Sequence, residues 1–339
     1  MVKGFSMKLV PAMLLAAFSG AASASGFQLL EQNASGLGNA YAGSAAVADN
    51  ASTIYFNPAG MTKLQAREVS GGISAVNPSF HFNDRGSSAG ALQTAGDGGN
   101  AGGWAAIPNG YMSWALNKDV YVGLGLGAPF GLKTEYDDRW IGAAQAQMFE
   151  VKTINLNPSV AWRVNDKVSL GFGLNWQKVE AHYNRLVSTA NTTTAATQLK
   201  MSLDDDAWGW NVGALFDVSP STRIGVSYRS AIKYEVEGKI KASGPSAGLN
   251  AAASSDARAD LKMPDTFIMS VTQKLSDRWE MLGDVSWTGW SSIPKVDIIR
   301  ASNTGAGAGV DGCPTHNSTT SSWLSRRAAT ALSTSITWK

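Results

Sequence analysis

Cysteine is almost absent from this chain, whose 339 residues include only Cys313. A single cysteine cannot form an intramolecular disulfide, so the fold must be stabilised by other means. Charge is also scarce, because 16% of the residues are charged and the formal net charge is +2. This composition excludes a highly charged disordered chain and gives no indication of nucleic acid as a partner.

Long apolar runs are missing as well. Outside the N-terminus no run reaches the ~20 apolar residues of a membrane-spanning helix. If the chain spans a membrane, it must therefore do so as a closed β-barrel. What the chain does contain is 36 glycines and 12 tryptophans, which favours a β-rich fold over a helical bundle.

Residues 1–24 have the pattern of a secretory signal. Lys3 and Lys8 precede an apolar stretch over residues 9–18, and small residues follow up to Ala24. A membrane anchor is the alternative, but the apolar stretch is too short for one. We expect export and cleavage after Ala24, which leaves 28 − 2 = 26 basic residues against 26 acidic residues.

Residues 66–300 consist of segments in which large apolar side chains alternate with small or polar ones. The clearest is 208–218, whose apolar face is formed by Trp208, Trp210, Val212, Phe216 and Val218. Residues 153–164 and 168–177 repeat the pattern. This period of two predicts an all-β fold, with strands that have one apolar and one polar face, as in a transmembrane antiparallel β-barrel.

The connections between these segments alternate strictly in length. Short, turn-forming stretches lie at 117–119, 165–167, 219–222 and 276–278, and longer ones at about 83–103, 131–149, 187–198 and 242–258. Outer-membrane barrels have short periplasmic turns and long outer loops, so the pattern predicts nine strands, the first running outward. Three tryptophans near strand ends fit an interfacial girdle, although each could be a core or loop residue: Trp162, Trp279 and Trp290.

Residues 25–65 differ in composition, being rich in Ala, Gly, Ser and Asn and too irregular for strands. We interpret them as a compact plug. In Asn57-Pro58-Ala59 an N-cap residue precedes a proline at the first helical position, which predicts the start of a short helix. From spacing alone the motif is a helix start, and a functional role is the other possibility.

The run SGFQLLEQNASGLGNAYAGSAAVADNASTIYFNPAGMTKL, residues 25–64, resembles the N-terminal hatch of the FadL family of outer-membrane transporters. It has the GFQL start, the SGLGxAYxG centre and the NPA motif, here Asn57, Pro58 and Ala59. The resemblance continues to about Arg300. It implies a barrel of fourteen strands, about nine of them recognisable here, plugged by a hatch of short helices.

The resemblance also implies a function. We expect an outer-membrane channel, not an enzyme, for diffusion-driven uptake of long-chain fatty acids or aromatic hydrocarbons. In the family, substrates are captured outside, pass to an internal site and leave sideways into the bilayer. We expect a monomer without cofactor or metal, whose partners are a hydrophobic small molecule, outer-membrane lipid and the barrel-assembly machinery.

The sequence of the third strand, residues 120–131, independently indicates an irregularity in the wall where a lateral exit could lie. A proline cannot donate a hydrogen bond within a central strand, so Pro129 should kink the strand or mark a bulge. The resemblance places the family's lateral opening at about Pro129, Phe130 and Gly131. The alternative is a strand that simply ends at Gly127.

A carboxylate headgroup bound inside the barrel would need a cation or a hydrogen-bond donor. Arg185, at the outer end of the fifth strand, resembles the position of a substrate-contacting arginine in fatty-acid members of the family. Lys295 and Arg300 are further basic candidates. A solvated rim arginine is the alternative for Arg185, and the charge balance does not choose between fatty acids and aromatic hydrocarbons.

Other functions leave weaker patterns. An outer-membrane phospholipase-type barrel enzyme would need a serine close to His182, and a general porin or structural barrel would lack the plug. Residues 204–206 are three consecutive aspartates that could bind a cation, or could form a solvated strand start. The three histidines, His81, His182 and His316, match no metal-site spacing.

Residues 301–339 depart from the family. They lose the strand alternation. They also do not end in an aromatic residue, as the barrel-assembly signal of outer-membrane proteins does. Nine strands cannot close a fourteen-stranded barrel without leaving backbone groups unpaired in hydrocarbon. We hypothesise a frameshift or truncation, with a genuine variant that has a disordered tail as the alternative.

Overall fold

The computed structural model describes residues 26–187, 197–292, 298–300 and 337–338. Within these residues the strands form one antiparallel sheet. Their bounds are β1 Arg67–Val76, β2 Ala105–Ala115, β3 Val120–Gly127, β4 Gly131–Glu135, β5 Met148–Arg163, β6 Val168–Val187, β7 Thr197–Ser219, β8 Thr222–Arg229, β9 Ile232–Ser243, β10 Ser255–Met263, β11 Thr266–Ser276, β12 Trp279–Thr288, β13 Ile298–Arg300 and β14 Thr337–Trp338. No helix in the described ranges is long and apolar enough to cross a membrane.

Several of these strands are consecutive parts of one pass across the sheet. β8 and β9 both pair with β7, β3 and β4 both pair with β5, and β12 and β13 pair with the successive strands β11 and β10. In the described part of the chain, β1 to β13 therefore make the nine passes that the sequence predicts. The breaks within passes were not predicted.

Local chemistry accounts for two of the breaks. Between β8 and β9 the Ser230 hydroxyl accepts a hydrogen bond from the Trp210 backbone N–H at 2.9 Å, in place of a strand carbonyl. Between β10 and β11 lies Pro264, which has no N–H to donate. At the first break the strand can change direction while its neighbour β7 runs on without interruption.

The connections agree with the predicted alternation. Turns of two to four residues join β2 to β3, β5 to β6, β7 to β8 and β11 to β12. The long connections hold structure that the sequence analysis missed. The predicted loop at 131–149 contains β4, and the one at 242–258 contains α2, Ala247–Ala253, whose N-terminus is capped by the Ser246 hydroxyl.

Part-way along the strands, the apolar side chains change from the outer face of the sheet to its inner face. Near the short-turn end the outward side chains of β7 are apolar, with Trp208 64% and Phe216 39% exposed. Near the long-loop end the outward positions of β7 carry exposed Lys200, Ser202 and Asp204, while Met201 and Leu203 are buried on the inner face. Only the short-turn part of the outer surface is therefore suited to lipid.

The N-terminal segment, residues 26–66, packs against the inner face of the sheet. It contains α1, Thr53–Phe56, and 3-10 helices at Leu37–Asn39 and Pro58–Lys63, in agreement with the short helices expected there. Its residues contact side chains or backbone of β1 and β3 on one side of the sheet and of β11 and β12 on the other. The sheet therefore curves around this segment.

Three expectations about the ends of the sheet have different outcomes. Trp162 and Trp279 lie outward, 52% and 54% exposed, as a girdle requires. For Trp290 the core alternative holds, because its ring packs edge-on against Phe27. At the sheet's end, β14 pairs with β12 through Trp338 and Thr337, and no pairing with β1 occurs in the described ranges. Residues 1–24, 301–336 and 339 lie outside the described residues.

Candidate functional site

Asn57 is the centre of the predicted motif and has a larger role than a helix cap. Its side-chain oxygen accepts a hydrogen bond from Ala59 N at 3.1 Å, as predicted for an N-cap. Its side-chain N–H groups donate to Ala45 O at 2.7 Å and to Ala214 O of β7 at 3.0 Å. The fully buried side chain thus ties two parts of the N-terminal segment to the barrel wall.

Glycines in the wall make room for this contact. A Cβ on Gly171 would lie 2.2 Å from Ala59 N, and a Cβ on Gly213 would lie 2.0 Å from Asn57 Oδ1. On β8, a Cβ on Gly225 would lie 1.9 Å from Ala45 O. Gly171 and Gly213 are direct cross-strand partners. These three glycines, the glycine bed, allow the backbone of the N-terminal segment to approach the sheet closely.

Ionic and hydroxyl groups hold the same segment nearer the short-turn end. Asp217 accepts hydrogen bonds from Lys63 at 2.5 Å and from Arg223 at 2.7 Å. Thr62 donates from its hydroxyl to Ser169 at 2.8 Å. Because these contacts are side chain to side chain between the segment and two strands, the segment is fixed to the wall at several points.

Tyr41 adds a contact within the segment. Burial, with a smaller contribution from the Glu31 carboxylate, raises the pKa of Tyr41 to about 12. The hydroxyl donates a hydrogen bond to Asn33 O at 2.8 Å. This bond holds together two turns of the segment.

The wall is interrupted at the predicted exit. β2 pairs with β3 only from Gly110 onward, and β4 pairs with β5 but with no other strand among the described residues. The sheet therefore has a gap between the loop-end half of β2, residues 105–109, and β4. Both sequence interpretations of Pro129 hold in part, because the β2–β3 ladder stops near Gly127 and the chain then continues along β5.

A bulge accompanies the gap. Gly127 pairs with Asn155 and Gly131 with Lys152, so residues 128–130 lie opposite residues 153–154 and the wall contains one extra residue on this side. The Thr153 hydroxyl compensates for the irregular ladder by accepting a hydrogen bond from Phe130 N at 3.0 Å.

The start of the N-terminal segment occupies this gap. Leu29 N donates to Pro129 O at 2.8 Å, and Gly131 N donates to Phe27 O at 3.0 Å. Gln28 reaches across the interior to Thr288, whose hydroxyl donates to its Oε1 at 3.1 Å. Residues 27–29 thus bridge the interrupted wall on one side and β12 on the other.

Beside the gap, near the long-loop end, lies a cluster of buried apolar side chains on the inner face of the sheet, here called the apolar chamber. Its buried members come from five strands and the break before β4: Phe130, Val151, Val179, Met201, Leu203, Ile232, Tyr234, Val236, Ala257, Ala259 and Met263. Phe27 packs against Phe130 with ring centroids 5.9 Å apart. The chamber is therefore bounded at the gap by aromatic rings from both the wall and the N-terminal segment.

The basic candidates differ in position. Arg185 lies on β6 at an inward-facing alternate position, opposite Leu199 of β7, so the predicted residue borders the interior at its long-loop end. Arg300 is exposed and donates to Ala253 O at 2.9 Å and to Ala252 O, which satisfies the C-terminal carbonyls of α2 rather than a substrate. Lys295 lies outside the described residues.

The candidate cation and hydrolase groups are also placed. Asp204 is 3.6 Å from Lys178, Asp205 accepts from Glu235 N at 2.9 Å, and Asp206 accepts from Trp176 Nε1 at 2.8 Å. The three aspartates point to different partners, and no group suited to a metal ion occurs in the described part of the chain. His182 Nδ1 lies 3.0 Å from Ser202 Oγ on the outward face.

Comparison with known proteins identifies the family. A family model described as Outer membrane protein transport protein (OMPP1/FadL/TodX) matches residues 15–326. The chain belongs to this family. Outer membrane protein P1 of Haemophilus influenzae is 31% identical over 335 residues, covering 87% of this chain and 72% of that protein.

Two further relatives agree with the family assignment. The Long-chain fatty acid transport protein of Escherichia coli K12 is 26% identical, covering 86% of this chain and 72% of its own length. The crystal structure of a Pseudomonas aeruginosa FadL homologue superposes with a TM-score of 0.70 at 21% identity, covering 82% of this chain and 72% of the other. The fold is that of a FadL-type outer-membrane barrel.

Family membership fixes the orientation of the sheet. As an outer-membrane protein, the chain has its short turns on the periplasmic side and its long connections outside. The apolar chamber and Arg185 therefore lie towards the cell exterior, and the Asn57 contacts lie towards the periplasm. The sequence analysis missed the glycine bed, although its members stand on the small-residue faces that the alternation defined.

Proposed function

We propose that this protein is a channel through which hydrophobic compounds cross the outer membrane by diffusion, with long-chain fatty acids as the principal class. The apolar chamber carries this proposal. A general porin has a polar, water-filled interior, whereas here inward Val179, Leu203 and Val236 are buried and apolar. Outward neighbours on the same strands are charged, so the chamber is apolar inside a water-exposed wall.

The geometry supports a route through the protein. Substrate enters from outside past Arg185, whose guanidinium contacts a carboxylate headgroup, and its chain occupies the apolar chamber. The N-terminal segment acts as a hatch that blocks passage towards the periplasm, held by Asn57, Pro58 and Ala59. The substrate leaves sideways into the bilayer through the wall gap at Pro129, Phe130 and Gly131.

Two observations bear on the substrate. The E. coli relative is named a long-chain fatty acid transport protein, and Arg185 provides a cation at an inward position. Aromatic hydrocarbons are the second candidate, since the chamber lining contains no charged residue among its buried described members. We further propose that the protein works as a monomer in contact with outer-membrane lipid, after insertion by the barrel-assembly machinery.

Transport without chemical turnover is part of the proposal. His182 and Ser202 form a hydrogen-bonded pair, but they lie on the outward face beyond charged Lys178 and Glu180. That position is above the apolar surface suited to lipid chains, and so away from phospholipid ester bonds. Hydrolysis of phospholipid by the purified protein would contradict this part of the proposal and support the phospholipase alternative.

Uptake measurements test the proposal. Cells lacking their own uptake proteins and expressing this chain should accumulate labelled oleate at low supply, and cells expressing an unrelated outer-membrane barrel should not. Liposomes containing the purified protein should not swell in sugars, because the N-terminal segment and the apolar chamber exclude them. Sugar permeation without oleate uptake would contradict the proposal and indicate a general porin.

A further inference from the structure

A layer of buried amide side chains lies between the apolar chamber and the part of the N-terminal segment around Asn57. On β6 and β7 its inward positions come between those of the glycine bed and those of the chamber. Its members, here called the amide layer, are 2% exposed or less: Asn155 and Asn157 of β5, Asn175 and Gln177 of β6, and Asn211 of β7. The interior is thus apolar above this level and strongly polar at it.

The amides bond to one another without satisfying all their atoms. Asn211 Oδ1 accepts from Asn175 at 2.9 Å and from Asn157 at 3.0 Å. Four buried atoms of the layer are left with no hydrogen-bond partner: Asn155 Oδ1, Asn157 Oδ1, Gln177 Nε2 and Asn211 Nδ2. Buried polar atoms in proteins almost always have a partner, so this layer has unused capacity for the polar group of a ligand or for water.

Arg229, at the end of β8, brings a positive charge to the same layer. It is the cross-strand partner of Asn211, and its guanidinium donates to Asn175 Oδ1 and, at 3.0 Å, to Tyr55 O. The guanidinium also lies over the Tyr55 ring, 4.4 Å from its centroid. All its contacts among the described residues are therefore to neutral groups.

Arg229 has no acidic side chain within salt-bridge distance among the described residues. The ion pairs of the described residues do not include Arg229. A guanidinium inside a barrel without a counter-ion is costly, and its planar group of five donors matches a carboxylate well. A small carboxylate without an apolar chain would gain nothing from the chamber directly above.

We propose that Arg229 and the amide layer form an inner headgroup site, which binds the carboxylate of an amphipathic substrate while its apolar chain extends into the chamber. This inference rests on the proposed transport of hydrophobic compounds and adds a basis for selectivity. Charge-assisted hydrogen bonds to Arg229 favour fatty acids over neutral molecules of equal apolar length. Arg185 would then act at the entrance and Arg229 at the inner end.

The test compares two ligands that differ only in the headgroup. Binding of labelled oleate and oleyl alcohol is measured on the full chain in lipid nanodiscs, for the wild type, Arg229→Met and Arg229→Lys. We expect Arg229→Met to weaken oleate binding about tenfold or more, and Arg229→Lys to restore part of the loss. Oleyl alcohol binding should change by less than about threefold, because it makes no charge-assisted bond.

Controls separate a local effect from misfolding. Arg258→Met alters an exposed arginine on the outward face of β10 and should leave binding of both ligands unchanged. Heat-modifiable gel mobility reports whether each variant is folded, and Arg229→Lys retains the charge if Arg229→Met does not assemble. Unchanged oleate binding in a folded Arg229 variant, or equal loss of both ligands, would overturn the headgroup site.

The outcome also distinguishes this inference from the proposed function. If the wild type binds oleate and oleyl alcohol but Arg229 substitutions affect neither, the channel proposal stands and the headgroup site is wrong. If the wild type binds neither ligand, the channel proposal fails and the headgroup site fails with it. A selective loss of oleate binding supports both.

Discussion

Asn57 joins the helix start, the N-terminal segment and the wall through one side chain, and this gives the first residue-scale prediction. Asn57→Ala removes the cap and the hydrogen bonds to Ala45 O and Ala214 O. Loss of the cap costs about 0.5–2 kcal/mol, and each lost hydrogen bond about 0.5–1.5 kcal/mol. Hydrogen exchange at residues 57–60 should therefore speed up while the barrel remains folded. Unaltered exchange would contradict both the cap and the contacts of Asn57 with the wall.

Gly213 tests the same contact from the wall. In Gly213→Ala the new Cβ would lie 2.0 Å from Asn57 Oδ1, so the side chain must move and the segment should become protease-sensitive. Gly110→Ala is the matched control, because a Cβ there meets nothing within 4 Å. Limited proteolysis of the two purified variants makes the comparison, and equal resistance would refute a close-packing role for Gly213.

Residue chemistry explains which part of this site the sequence predicts. The cap at Asn57 is visible because its partner, Ala59 N, is two positions away. The bonds to Ala45 and Ala214 and the role of Gly213 depend on which strands become neighbours and in which register. The same holds for Arg229, whose partners come from β6, β7 and the N-terminal segment.

At the scale of elements, the third pass of the sheet combines a bulge, a gap and a segment inserted into that gap. A Cβ at position 131 would lie 2.9 Å from Leu29 Cδ1, so Gly131→Leu places a bulky side chain against Leu29. We expect it to obstruct the gap and lower oleate uptake severalfold without loss of assembled protein. Gly110→Leu on the neighbouring pass is the control, and uptake should there remain at the wild-type level. Equal uptake by the two variants would exclude an exit at this gap.

Strand prediction succeeded where alternation runs without interruption and failed where the backbone deviates. Residues 208–218 of β7 alternate without interruption and were predicted as a strand, whereas the apolar side chains of its first half lie on the opposite face. The breaks at Ser230 and Pro264 interrupt strands whose composition continues across them, so periodicity alone joins the two parts. Pro129 was recognised by its missing N–H, a local property that the sequence displays directly. Pro264 has the same property, and its break was overlooked.

At the scale of the whole molecule, the exchange of polarity between the two faces places the bilayer. Inward side chains change from amides and glycines near the periplasm to the apolar chamber outside, while outward side chains change from aromatic to charged. Trp176 and Trp208 are cross-strand partners at this change, and Lys178 and Asp206 form the next outward pair. The hydrocarbon boundary should therefore lie between these two pairs.

Arginine substitutions on the outward face test this placement. Phe172→Arg puts a charge on the lipid-facing surface of β6, where it should destabilise the folded protein by about 2–4 kcal/mol if the site is near the bilayer midplane. Glu235→Arg, outward on β9 and opposite Asp260, lies beyond the boundary in water, and the change should stay within about 0.5 kcal/mol. Urea unfolding in phospholipid vesicles, followed by tryptophan fluorescence, measures both. Similar destabilisation by the two substitutions would place β9 within the hydrocarbon. The apolar chamber would then lie at the level of the lipid chains and not on the extracellular side of them.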